Sequence, residues 1–245
     1  MDLNISGSGQ IMPGEYDTIR VSGSGRLEGT VRCQNLFTSG SVGGNSVECK
    51  NDINTSGSCN FSGDISTGNL IVSGGSSFGG NVEARDKIAV SGGSSFKRDV
   101  KCKQLRLSGG SKIGGDVEAE LVKIRGAVDC VGLMNAEEID IEYERGMEIG
   151  SIGGSKIVIY KRHGEVKKKK FRLPLFSSLI KKSTVDTVVV KNSIEGDEIA
   201  LEGVVCPRVS GRVVAIGADC EIELVQYSEQ VEVSPEAKVG RTERI

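Results

Sequence analysis

The chain has 245 residues and a formal charge of −2, with 37 % apolar residues, 4 % aromatic residues and no tryptophan. This low aromatic content, with 34 glycines against four prolines, excludes a core built on aromatic side chains, and the regular spacing of Val, Ile and Leu excludes disorder. No run of about 18 apolar residues is present, so no membrane-spanning helix is predicted.

The opening "MDLNISGSG" lacks a basic stretch followed by an apolar one, so no export signal is expected. Seven cysteines without CxxC spacing then read as reduced thiols of a cytoplasmic protein.

From here a repeat runs along the chain. Ser-Gly recurs at Ser6, Ser22, Ser39, Ser56, Ser73, Ser91 and Ser108, with Arg125-Gly126 as a degenerate copy, in steps of 16, 17, 17, 17, 18, 17 and 17. Ahead of each Ser stands Ile5, Val21, Thr38, Thr55, Val72, Val90, Leu107 or Ile124. Five residues after it come Ile11, Leu27, Phe61, Phe78, Phe96 and Ile113, with Val42 assigned to this column after a deletion. A valine column (Val31, Val47, Ile65, Val82, Val100, Val117) precedes a small one (Cys33, Cys49, Thr67, Ala84, Cys102, Ala119). The last is Leu36, Ile53, Leu70, Ile88, Leu105 and Val122.

Local alternation of apolar and polar residues is the strand period. Three short strands per repeat, separated by glycine corners, predict a β-solenoid whose coils stack like on like. The stretch "VSGGSSFGGNVEA" (72–84) is one such coil. A flexible linker would not hold these columns in register, and a phosphate-binding loop needs its glycines once, between a strand and a helix.

After Arg125 the pattern blurs, although residues 139–161 still alternate. Residues 161–182, "KRHGEVKKKKFRLPLFSSLIKK", interrupt it with nine basic residues and one acid, a net +8 that leaves −10 for the rest. Pro174 suits a first helical turn, after which Leu175, Phe176, Leu179 and Ile180 would share one face of a short helix that ends at Lys181 and Lys182. Lys167, Lys168, Lys169, Lys170, Phe171 and Arg172 complete a basic amphipathic candidate for binding an anionic membrane surface. A solvated loop whose apolar residues cap the solenoid is the equal alternative. Nucleic acid is not expected, because the remainder is acidic and stacking aromatics are scarce. Residues 185–233 resume the alternation, with corner glycines at Gly196, Gly203, Gly211 and Gly217, and 234–245 form a charged tail.

Catalytic chemistry finds little footing. The single histidine, His163, lies among lysines, and it assembles no catalytic triad or metal cluster with the dispersed cysteines. No catalytic residue, cofactor or metal is assigned. The Cys33, Cys49 and Cys102 positions read as interior filler, and so do Cys206 and Cys220. Glu83, Asp99 and Glu118 point outward without forming an evident pair. A six-residue step (Val72, Phe78, Ala84, Val90, Phe96, Cys102) is the spacing of left-handed hexapeptide acyltransferases, but most coils here have 17 residues rather than 18 and the clear ones carry no histidine.

The "SGGSxFGGxVEA" coils of residues 73–119 resemble the bactofilins, and residues 194–227 resemble the C-terminal half of longer bactofilin-like proteins of Gram-positive bacteria. The resemblance implies a right-handed parallel β-helix that polymerises end to end without nucleotide. It also implies a scaffold at the inner membrane face that organises cell-envelope or motility machinery. Many members carry a Pro-rich tail and a short apolar targeting stretch ahead of the first coil, whereas here a coil follows almost at once. The chain is also about twice the length of a minimal core, so contact residues do not carry over.

The expectation is therefore an all-β solenoid of about 17 residues per coil, with an N-terminal solenoid (1–160), a basic excursion (161–184), C-terminal coils (185–233) and a tail (234–245). The reading is a non-enzymatic, cytoplasmic scaffold whose partners are its own copies, client proteins and an anionic membrane surface. A β-helical enzyme acting on envelope polysaccharide and a hexapeptide-type acyltransferase are the alternatives.

Overall fold

The computed structural model describes residues 1–162 and 187–245. These residues form one parallel sheet wound into a solenoid of about 13 turns, with no helix among them. At the usual strand spacing of about 4.8 Å the rod is roughly 60 Å long.

Register makes the columns physical. Leu3 pairs with Ile19, and the ladder continues through Leu36, Ile53, Leu70, Ile88, Leu105 and Val122. It resumes as Ile139, Ile157, Ile199, Val214 and Val231. From Ile19 to Ile157 no member of this column exposes any surface. Apolar residues stack because burying each aliphatic side chain contributes about 1.5–3 kcal/mol, and a strand slipped by one residue would turn its whole apolar set outward.

Length changes are therefore absorbed at corners. In the 18-residue step, Ala84 faces Thr67 and Lys87 faces Asn69, so Arg85 and Asp86 together oppose Gly68. The same logic corrects one assignment. Val42 does not stand in the column of Leu27 and Phe61; it pairs with Gly25 and Cys59, and Gly44 faces Leu27 and Phe61. The deletion lies later, at the corner Asn45-Ser46, where it leaves the strand Ser41–Gly44 in phase. Gly44 has φ +150°, and a Cβ there would lie 2.3 Å from the Leu27 carbonyl oxygen, so only glycine fits.

The Ser-Gly corners form a second ladder. A Cβ on Gly40 would come within 2.0 Å of the Gly23 carbonyl oxygen, and one on Gly57 within 1.9 Å of the Gly40 oxygen. Each glycine lets the next coil settle at hydrogen-bonding distance, as Ser56 N to Thr38 O (2.8 Å) and Ser58 N to Gly40 O (3.1 Å) record.

The strand Met147–Lys161 is paired, one coil on, with Val188–Val190 and Ser193–Leu201. The described strands on either side of residues 163–186 are therefore adjacent rungs of one stack with a single core. Residues 238–244 add a strand beyond 233, pairing Lys238 with Glu221 and Arg244 with Tyr227.

Candidate functional site

Two kinds of surface distinguish themselves on this rod: its end coils, and a charged cluster around Arg125 and Glu142.

At the first coil, the strands Leu3–Ile5 and Ser8–Ile11 pair inward with Gly14–Val21 and Ser24–Leu27, and their outer edges have no strand partner among the described residues. Leu3 and Ile5 head the interior columns yet are only partly buried. At the far end, the strand Lys238–Arg244 covers only the first half of Glu221–Val233. Val231 and Val239 stay partly buried there, and Val233 is 42 % exposed. Each end therefore offers unpaired backbone edges beside unfinished apolar columns, the arrangement that templates further strand pairing.

The charged cluster grows from the degenerate Arg125, which stands opposite Ser108. Its guanidinium donates to both Asp140 carboxylate oxygens (3.1 and 2.8 Å), and its Nε meets Glu142 at 2.7 Å. Glu142 also accepts from the Tyr160 hydroxyl at 3.5 Å and lies 3.6 Å from Arg162, which pairs in turn with Glu144. Asp140 and Glu142 are about three-quarters buried, which makes this the most enclosed ion-pair network among the described residues. The hydrogen bond to Asp140 raises the Arg125 pKa further, and burial next to Asp140 raises that of the Tyr160 phenol. A cleft of about 420 Å³ lined by Arg125, Glu142, Arg145 and Arg162 opens beside it. Asp140 is gripped through both oxygens by Arg125 alone, and Glu142 by Arg125, Arg162 and Tyr160, a pattern of structural bracing.

The outward carboxylates are structural too. Glu118 pairs with Lys101 at 2.9 Å. Asp99 accepts the Asp116 backbone N–H at 2.9 Å, as Asp64 does that of Asn81 (2.7 Å) and Asp116 that of Leu133 (2.8 Å). This ladder of corner caps was not singled out in the sequence, although an Asp or Asn precedes Ile65, Val82, Val100 and Val117 in the chain. No group of three or more His, Cys, Asp or Glu able to hold a metal occurs among the described residues. All seven cysteines are free and buried. No helix of the described residues is long and apolar enough to cross a membrane.

The candidate membrane residues Lys167, Lys168, Lys169, Lys170, Phe171, Arg172, Leu175, Phe176, Leu179, Ile180, Lys181 and Lys182 lie outside the described residues, as does His163.

Comparison with known proteins finds a similarity over part of the chain. The model of the bactofilins, described as polymer-forming cytoskeletal, matches residues 1–83. The uncharacterized protein YhbE of Bacillus subtilis (strain 168) is 31 % identical over 114 residues, which cover 46 % of this chain and 44 % of that protein. The chain thus spans less than half the length of the curated relative it matches. No solved structure matches it.

Proposed function

Because residues 1–83 match the bactofilin family model, we propose that the whole chain is a non-enzymatic cytoskeletal scaffold that polymerises end to end without nucleotide in the cytoplasm. The observation that carries this reading is the state of the end coils: Leu3 and Ile5 at one end, and Val231 and Val239 at the other, are left partly buried beside unpaired strand edges. A second copy docked there would continue both the hydrogen-bond ladder and the apolar columns. Heterologous contacts of this kind, repeated without closure, build filaments.

Negative-stain electron microscopy of the purified chain, at physiological salt with no nucleotide, tests the reading. Long unbranched filaments are expected. Leu3→Lys and Val239→Lys, each placing a charge on one end coil, should shorten or abolish them. Uniform monomers or closed trimers of the parent chain would sink the proposal.

The membrane role belongs to residues 161–184, whose net charge is strongly positive while the remainder of the chain is acidic. In this reading Lys167–Lys170 contact anionic lipid, each contributing roughly 1 kcal/mol, and Phe176 inserts its ring. Client proteins of the envelope or motility machinery would then be gathered along a filament lying on the membrane. Binding to vesicles containing phosphatidylserine should fall at least tenfold when Lys167–Lys170 are replaced by Glu, and measurably for Phe176→Asp. Unchanged cosedimentation of both variants would remove the membrane from the proposal and leave the filament intact.

A further inference from the structure

Of the seven cysteines, two face each other across adjacent coils: Cys33 pairs with Cys49. The other cysteines meet different residues, as Cys59 does between Val42 and Ser76 and Cys130 between Ile113 and Ile149. One circuit of the solenoid separates Cys33 from Cys49, so their Cα atoms stand one strand spacing apart, about 4.8 Å. That falls inside the roughly 4.4–6.8 Å span of disulfides.

Local geometry gives the two sulfurs freedom to approach. The ladder breaks immediately after the pair: Asn35 faces Asp52, so Gln34 opposes both Lys50 and Asn51. The Cys33 thiol stands beside Cys49, whose Sγ donates to the carbonyl oxygens of Gln34 and Asp52, both at 3.3 Å. The neighbouring Cys49 thiol, together with burial, keeps Cys33 protonated well above the ordinary thiol range, and the neighbouring Cys33 lowers the Cys49 pKa. Where one of the two ionises, the charge rests on Cys49.

A cleft of about 650 Å³ opens over the pair, rimmed by Tyr16, Arg32, Lys50 and Arg85. Cys33 and Cys49 are 5 % and 4 % exposed, which admits a small oxidant but not the thiol of another protein. The remaining cysteines near the middle of the rod have nothing comparable; burial alone pushes the Cys59 thiol up to about 12.

We propose that Cys33 and Cys49 form a reversible oxidation site that closes an inter-coil disulfide on reaction with hydrogen peroxide. The Cys49 thiolate attacks one peroxide oxygen; the O–O bond breaks, hydroxide leaves and takes a proton to become water, and Cys49 becomes a sulfenic acid. Cys33 sulfur then displaces the sulfenic hydroxyl. The S–S bond forms, the S–O bond breaks, and the Cys33 proton departs with the hydroxyl as a second water. The sulfur pair loses two electrons, the peroxide gains them, and a thiol reductant reverses the step. The product ties covalently the second and third coils, which otherwise hold each other by backbone hydrogen bonds, packing and the Arg32–Glu48 ion pair.

The test uses the full chain, exposed to hydrogen peroxide, quenched, alkylated with iodoacetamide under denaturing conditions and digested for mass spectrometry. A peptide pair joined through Cys33 and Cys49 and separated by dithiothreitol is expected, with Cys59 and Cys130 still alkylated. The oxidised chain should melt several degrees above the reduced one. In Cys33→Ala, dimedone should trap a sulfenic acid on Cys49, and the rise in melting temperature should vanish. Alanine fits this column, since Ala84 occupies it fully buried. A pair that stays alkylatable after peroxide, that passes to sulfinic acid without a link, or that links only between chains on a non-reducing gel would overturn the proposal.

Discussion

Gly57→Ala is expected to lower the melting temperature by roughly 10 °C, while Gly75→Ala raises it by about 1–4 °C. The two glycines sit in successive Ser-Gly corners, but only one is crowded. A Cβ on Gly57 would lie 1.9 Å from the Gly40 carbonyl oxygen and 2.8 Å from its carbon, whereas one on Gly75 meets nothing within 4 Å. The obstacle is backbone, and it is pinned on both sides by Ser56 N–Thr38 O and Ser58 N–Gly40 O. Relief means parting two coils and stretching those hydrogen bonds, at a cost near the upper end of overpacking, about 3 kcal/mol. For a chain of this size each kcal/mol shifts the midpoint by about 2–4 °C. At Gly75 the added methyl changes only unfolded-chain entropy, worth a few tenths of a kcal/mol to about 1 kcal/mol in the stabilising direction. Thermal scans by circular dichroism decide it: equal midpoints for the two variants would mean that the glycine ladder does not set the coil spacing.

Most of this architecture was legible before any coordinates. In a solenoid, position i of one coil touches position i of the next, so an apolar column in the alignment is an apolar column in space. Val21, Thr38, Thr55 and Val72 illustrate it, standing in the order the alignment gives them. What escaped was whatever depends on corners or on side-chain reach. Val42 was misplaced because one deletion fits equally well on either side of a short strand when only spacing is counted; the pairing of Gly44 with Phe61 decides. The Arg125 network was half visible, as a degenerate Ser-Gly, but its acids Asp140 and Glu142 lie in a run whose register was blurred. Cys33 over Cys49 was read as interior filler. Their burial fits that reading, but the alignment carries no trace of the cleft above them, because Tyr16, Arg32 and Arg85 come from different coils. The candidate membrane segment, with its basic charge and its apolar face at Leu175, Phe176, Leu179 and Ile180, has no column against which to check it.

Phe78→Ala is the second large effect, and its signature is spatial. Phe61, Phe78 and Phe96 pair in register, with ring centroids 6.4 and 4.9 Å apart and ring planes within 20° of parallel. Phe78 is wholly buried between the other two. Removing its ring costs about 3–5 kcal/mol, because the backbone cannot collapse into the void. Gly79 N–Phe61 O (2.7 Å) and Lys97 N–Phe78 O (2.9 Å) hold the coils on either side at their native spacing. Phe78→Leu, which refills most of the volume, should recover more than half of the loss. In a rod where each coil touches only its neighbours, stability is close to a sum of nearest-neighbour terms. The damage should therefore stay local. Hydrogen exchange is expected to accelerate strongly in the strands around residues 61–96, while Val204–Ile216 keeps the protection of the parent chain. Equal acceleration along the whole chain would instead show that the rod unfolds as one cooperative block. A break in mid-rod would then be transmitted to both end coils, and Phe78→Ala would lose its filaments as well as its local protection.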